Sequence, residues 1–176
     1  MNAEQTVTVP DSIEREILIA APVDVVWPLV SEPGWWINEG EIREHSIEAA
    51  GDRVWKVTDV KHGEWLIEVV ECTEQQSVSY RWLVGGSDDA DSSDRSTDSN
   101  TDSSTDSSTD RDPDTADRLR TLVQFTLESV TDGTVVRVVE SGFANGTVDQ
   151  KRRNMYDDNT EGWTAELSAA KTHLEK

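Results

Sequence analysis

The chain of 176 residues carries 36 acidic against 16 basic side chains, a formal net charge of −20. Phosphate-backbone recognition needs a basic face, and the run Lys151-Arg152-Arg153 reads as a solvated helix face, so nucleic acid is excluded as a partner. No segment reaches the roughly 18 apolar residues of a membrane-spanning helix, and the start lacks the cationic and apolar pattern of an export signal, so a cytoplasmic setting is expected.

The charge is spread along the chain. The stretch Gly86 to Asp117 holds eleven Asp and two Arg, a net of −9, and the rest of the chain still carries −11. With five Lys among its 16 basic residues, this is the composition of a cytoplasmic protein in a salt-loving organism, where ionic strength screens self-repulsion. The single cysteine, Cys72, ends an apolar strand and is expected as a buried structural thiol.

Residues 1–12 show no periodicity and read as a flexible leader. From Ile13 to Ala20 the residues alternate as in a strand. Pro22 suits the first turn of a helix, and Val23, Val26, Trp27 and Val30 follow at helical spacing, with Pro28 keeping that helix short or bent. Trp35-Trp36-Ile37, after the Pro33-Gly34 turn, forms a compact apolar cluster. Strands are then expected at Ile42 to Ile47, Arg53 to Thr58, Glu64 to Cys72, Val78 to Val84, Leu119 to Leu127 and Thr134 to Glu140, with connections short enough for antiparallel pairing. Between the fourth and fifth of these lies the acidic Ser/Thr/Asp-rich tract at 86–117, partly a Thr-Asp-Ser-Ser repeat. It has too little apolar surface to offset the entropy of ordering and reads as a disordered hairpin insertion. Thr147 and Gln150 have the spacing of a capping box, and a helix is expected to start there. Its first half, Val148 to Glu161, is polar and interrupted at Gly162, which suggests a frayed or bent segment. From Trp163 the stripe Trp163, Leu167, Ala170 and Leu174 demands an apolar surface to lie on.

His45, His62 and His173 are far apart and have no ligand-like spacing with Cys, Asp or Glu, and neither a phosphate-cradling loop nor a nucleophile elbow is present; no metal, cofactor or covalent catalysis is expected. Seven of the eleven aromatics are Trp. They either fill a core shared by helix and sheet or line an apolar cavity between them. Alternation places Glu140 on the same face as Val136 and Val138, where a carboxyl could orient a ligand or act as an acid; the alternative is a strand-end residue reaching solvent or pairing with Arg81 or Arg120.

The opening Ala21-Pro22-Val23-Asp24-Val25-Val26-Trp27, the run Glu140-Ser141-Gly142-Phe143 and the closing Gly162-Trp163 with Leu167 resemble the Hsp90-ATPase-activator-homologue type of the START-like, Bet v 1-like superfamily. The resemblance implies an α+β helix-grip fold, a curved antiparallel sheet with two short helices and a long C-terminal helix, spanning residues 13–174 as one domain. It also implies a cavity between sheet and helix. The function read from the residues and the resemblance together is non-catalytic binding of a small apolar or amphipathic ligand by a monomer. The residues expected at the site are Trp27, Trp36, Trp55, Trp65 and Trp82, then Phe125, Glu140 and Trp163, with Met155 and Tyr156 at its mouth. The alternatives are a chaperone-associated protein-interaction module, and a cyclase- or hydrolase-like enzyme using Glu140. A 32-residue loop in place of a four-residue turn costs only about 2 kcal/mol of closure entropy. Replacing Ser87 to Asp117 by a Gly-Asn turn is therefore expected to leave the circular dichroism spectrum and cooperative unfolding intact.

Overall fold

The computed structural model describes residues 7–85, 120–145 and 148–176. The elements run β1 (Ser12–Ile19), α1 (Val23–Val30), β2 (Ser46–Gly51), β3 (Val54–Asp59), β4 (Gly63–Thr73), β5 (Ser77–Gly85), β6 (Leu122–Val130), β7 (Gly133–Ser141) and α2 (Gln150–Leu174). The seven strands form one antiparallel sheet in the order β1-β7-β6-β5-β4-β3-β2. Strands β2 to β7 are sequential neighbours, as their short connections require, and β1 closes the far edge against β7.

This order places β1 and β2 at opposite edges, so the chain between them has to cross the sheet. The crossing carries α1 and then Trp35-Trp36-Ile37 over the inner face, which is why these three apolar residues are buried. Gly34 sits at the turn before them with φ of +76°, and a Cβ there would lie 2.8 Å from the Val57 side chain. Register shifts in β4, between Leu66 and Ile67 and between Val69 and Glu71, bend the sheet around this packing.

The long helix α2 runs beside β1 and covers that strand's free edge. Tyr156 Oη donates to the Ser12 carbonyl at 3.2 Å, Lys171 Nζ donates to the Leu18 carbonyl at 2.7 Å, and the Ala20 amide donates to Glu175 Oε1 at 2.7 Å. Within the stretch read as a leader, Arg153 donates to the Thr8 carbonyl and the amides of Gly142 and Phe143 donate to the Asp11 carbonyl.

Four local expectations change. No strand forms over Ile42–His45; β2 begins at Ser46, where the loop that follows the crossing ends. The cap of α2 is Asp149, whose side chain accepts from the Arg152 amide at 2.9 Å, while the expected cap Thr147 lies outside the described residues. The helix is continuous from Gln150 through Gly162, because its polar first half is tied down by tertiary hydrogen bonds that periodicity does not register. Cys72 is exposed instead of buried: β4 extends beyond the covered part of the sheet, and Glu71 to Gln76 are all exposed. The acidic tract expected at 86–117 also lies outside the described residues.

At the β6–β7 turn, Gly133 has φ of +144°, and a Cβ there would fall 2.0 Å from the Ile19 carbonyl oxygen. That obstacle is backbone and cannot rotate away, so Gly133→Ala is expected to lower stability by at least about 2 kcal/mol in urea unfolding.

Candidate functional site

Along β3, β4 and β5 the register puts Val57 opposite Trp65, and Ile67 opposite both Trp55 and Trp82. Directly opposed residues share a face, and Val57 and Ile67 are both 0% exposed. Trp55, Trp65 and Trp82 therefore project from the inner face, yet each remains half-buried. Helix α2 lies over the β1 side and leaves this part of the inner face to the crossing loop.

Trp36 is the centre of the aromatic packing. Its ring lies 5.0 Å from Tyr80, 5.6 Å from Trp82 and Phe125, and 5.9 Å from Trp163. Trp65 joins through Trp82 at 4.9 Å. Rings thus fill the middle of the space between sheet and helix. Tyr80 satisfies its hydroxyl by donating to the Val30 carbonyl at 2.9 Å, and burial pushes its pKa far up. The indole N–H groups of Trp35, Trp36 and Trp65 are buried without an acceptor among the described residues.

Trp163 differs, because its N–H donates to Glu140 Oε2 at 2.6 Å. Glu140 is 1% exposed at the end of β7. Thr121 Oγ1 donates to its Oε1 at 2.5 Å, and Asn159 Nδ2 lies 3.2 Å from each carboxyl oxygen. Burial pushes the Glu140 pKa above the ordinary carboxylate range, and the donors Thr121, Trp163 and Asn159 oppose that shift without cancelling it. The strand-end alternative, with Glu140 in solvent or paired with an arginine, does not hold: Arg81 pairs with Glu68, and no described cation reaches Glu140.

On the same side of α2, Lys151, Asn154, Met155, Asp158 and Asn159 line an open depression of about 460 Å³. Their spacing of three, one, three and one follows a single helix flank. Met155 also packs against the core, and Asn159 connects the depression to Glu140.

A second buried polar cluster lies one to two turns further along α2. Glu166 Oε2 accepts from Asn38 Nδ2 at 3.1 Å, and Asn38 also donates to the Trp35 carbonyl at 2.6 Å. Burial raises the Glu166 pKa. Asp59 is also buried, which by itself would raise its carboxyl, but the His62 and Lys61 amides and the Arg43 guanidinium outweigh that and hold it below the usual range. His45 Nε2 donates to the Ile37 carbonyl at 2.6 Å and lies 3.4 Å from Asp59 Oδ2. Two of the sequence-distant histidines therefore share a neighbour, although no described group of three His, Cys, Asp or Glu side chains is placed to hold a metal ion.

Of the expected site residues, Trp36, Trp65, Trp82, Phe125 and Trp163 come together in one cluster, with Glu140 hydrogen-bonded at its edge. Met155 lines the depression, whereas Tyr156 turns toward β1 and packs edge-on against Phe143 at 5.2 Å. Trp55 on β3 and Trp27 on α1 are half-buried and stack on no other described aromatic ring. Sequence reasoning missed Trp35, Tyr80, Thr121 and Asn159. Asn159 had a signal: it lies four residues before Trp163, on the same helical stripe. Thr121 had a weaker one, two residues before Val123, which sits opposite Glu140.

A seven-stranded antiparallel sheet gripping a long C-terminal helix, with two polar joints on the helix face, is the helix-grip class of α+β fold. A crystal structure of protein MLL2253 from Mesorhizobium loti is similar at 18% identity and a TM-score of 0.59, covering 93% of this chain and 96% of that one. Protein BH1534 from Bacillus halodurans matches at 16% identity and a TM-score of 0.58, covering 96% and 98%. The Aha1 dimer from Colwellia psychrerythraea matches at 16% identity and a TM-score of 0.53, covering 93% and 96%. At these identities the likeness establishes the fold. No family model and no curated relative matches the sequence, and no helix among the described residues is long and apolar enough to cross a membrane.

A raised pKa means that the folded state binds the Glu140 proton more tightly than the unfolded state, so this group's contribution falls as pH rises. The unfolding free energy of the wild type relative to Glu140→Gln is expected to be highest below the ordinary value of 4.5 and to decline as pH climbs through the higher folded value. Chemical unfolding of both proteins across a pH series measures it; a flat difference would show that burial does not govern this carboxyl.

Proposed function

We propose that the chain binds a small apolar or amphipathic molecule where the first half of α2 stands beside the uncovered inner face of the sheet. The observation that carries this is the combination of half-buried inward tryptophans with an open depression walled by Met155 and Asn159. Trp65 and Trp82 offer flat apolar surface, Met155 an adaptable thioether, and Asn159 leads to the buried carboxyl of Glu140. Because rings fill the centre, the ligand on this reading stays at the α2 end of the grip, with Trp36, Phe125 and Trp163 beneath it.

Residues 13–174 are read as one helix-grip domain interrupted by the acidic insertion at 86–117. The Hsp90-activator-homologue assignment is supported by a contact: Glu140 of the Glu-Ser-Gly-Phe run and Trp163 of the Gly-Trp pair, two of the three motifs that carry the resemblance, bond to each other. A second reading, a protein-interaction module, is favoured by the filled interior and by the likeness to a protein solved as the Aha1 dimer.

Titration with the neutral apolar dye N-phenyl-1-naphthylamine in molar salt is expected to quench tryptophan emission saturably and to raise the melting temperature. Met155→Asp is expected to weaken that binding at least about tenfold, the effect of roughly 1.4 kcal/mol, while melting stays cooperative. Indifference to the dye and to a broad panel of apolar ligands, together with recovery of a stoichiometric protein partner, would favour the second reading.

A further inference from the structure

The depression and the buried carboxyl are joined by one side chain. Asn159 is a wall of the depression and also a donor to Glu140, its Nδ2 standing 3.2 Å from both oxygens. The other two donors differ in strength and in position. Thr121 and Trp163 approach at 2.5 and 2.6 Å and are themselves 2% and 5% exposed, so neither can leave without unpacking the core. Asn159 is half-buried, its two contacts are long and share a single nitrogen, and it faces open space. It is the donor that a ligand can replace.

All three donors are neutral. Asp59, the comparable carboxyl of the second cluster, is buried with Arg43 at 3.1 Å, whereas Glu140 has no described cation within ion-pair distance. A carboxylate taken out of water without a counter-charge is under-compensated. The group that best completes it brings positive charge and several N–H donors in a small volume, as an ammonium does.

Extending the ligand-binding reading above, and resting on it, we propose that the depression selects amphiphiles whose polar head is a protonated amine, which displaces the Asn159 amide and pairs with Glu140. The apolar part of such a molecule lies along Met155, which also packs against the core. Asp158, on the lining of the same depression, adds attraction for a cation, while Lys151 lies eight residues from Asn159, roughly 12 Å along the helix axis, and does not oppose it closely. An anionic head meets Glu140, Asp158 and a chain of net charge −20. An alcohol head supplies a single neutral donor and gains little over the amide it displaces.

The test compares octylammonium, octanol and octanoate by titration calorimetry on the full chain near neutral pH. Molar salt suppresses the general attraction of an acidic surface for cations and screens a buried pair much less. Octylammonium is expected to bind at least about tenfold more tightly than octanol, the scale of a charge-assisted bond, with octanoate weakest. Glu140→Gln is expected to bring the ratio of amine to alcohol affinity close to one. Asn159→Ala, which removes the competing amide, is expected to tighten amine binding, and it carries the test if Glu140→Gln does not fold. Equal affinity for octanol and octylammonium, a preference that survives Glu140→Gln, or amine affinity unchanged by Asn159→Ala would each overturn the amine assignment. If the neutral dye binds and none of the three octyl probes does, the assignment fails and the ligand-binding reading stands; if the dye fails as well, both fall.

Discussion

The hydrogen bond from the Trp163 indole to the buried Glu140 carboxyl sets where α2 sits on the sheet, and much else follows from it. The bond is short and lies out of water, where a lost partner would leave a desolvated carboxyl behind. It holds the Trp163 ring at 5.6 Å from Phe125 and 5.9 Å from Trp36, closing the centre of the grip. One turn earlier Asn159 reaches the same carboxyl, and about one turn later Glu166 reaches Asn38. The helix is thus pinned at successive turns of one face, each time through a carboxyl whose pKa burial raises.

Strand order supplies the second constraint. Because β1 and β2 occupy opposite edges, the connection between them must cross the inner face, and the apolar cluster Trp35-Trp36-Ile37 is what it lays there. The helix meanwhile follows β1, using Tyr156, Lys171 and Glu175 to satisfy backbone groups of that edge. Covering an edge strand in this way removes a template for unwanted pairing. It also leaves Trp55, Trp65 and Trp82 only half covered.

The acidic surface and the buried acids play different parts. Outside, the ion pairs of Lys56 with Glu48 and Glu64, and of Arg137 with Glu14 and Glu16, are solvent-exposed and each adds little to stability. Net charge there concerns solubility and the choice of partners. Inside, Glu140 and Glu166 lie within an aromatic and aliphatic core, where a single carboxyl decides the position of a whole helix.

Alternation and helical spacing were sufficient for β1, for β3 to β7, for the stripe Trp163, Leu167, Ala170, and for placing Glu140 on the face of Val136 and Val138, because these are period-two and period-3.6 signals carried by neighbouring residues; they misplaced β2, which starts at Ser46 and not at Ile42. The Glu140-Ser141-Gly142-Phe143 run and the Gly162-Trp163 pair were also legible as motifs, and they meet in space through Glu140 and Trp163. Other features depend on partners distant in sequence. The continuity of α2 through its polar half rests on Ser12 and Glu140, and the exposure of Cys72 on how far the covering elements extend over β4. The position of the depression at Met155 and Asn159 depends on the long-range bonds that seat the first half of α2 against Ser12 and Glu140. The sequence by itself determined which faces are apolar, and with them the fold; the tertiary structure alone decided which apolar faces stay uncovered, because that depends on strand order and on where long-range hydrogen bonds place the helix.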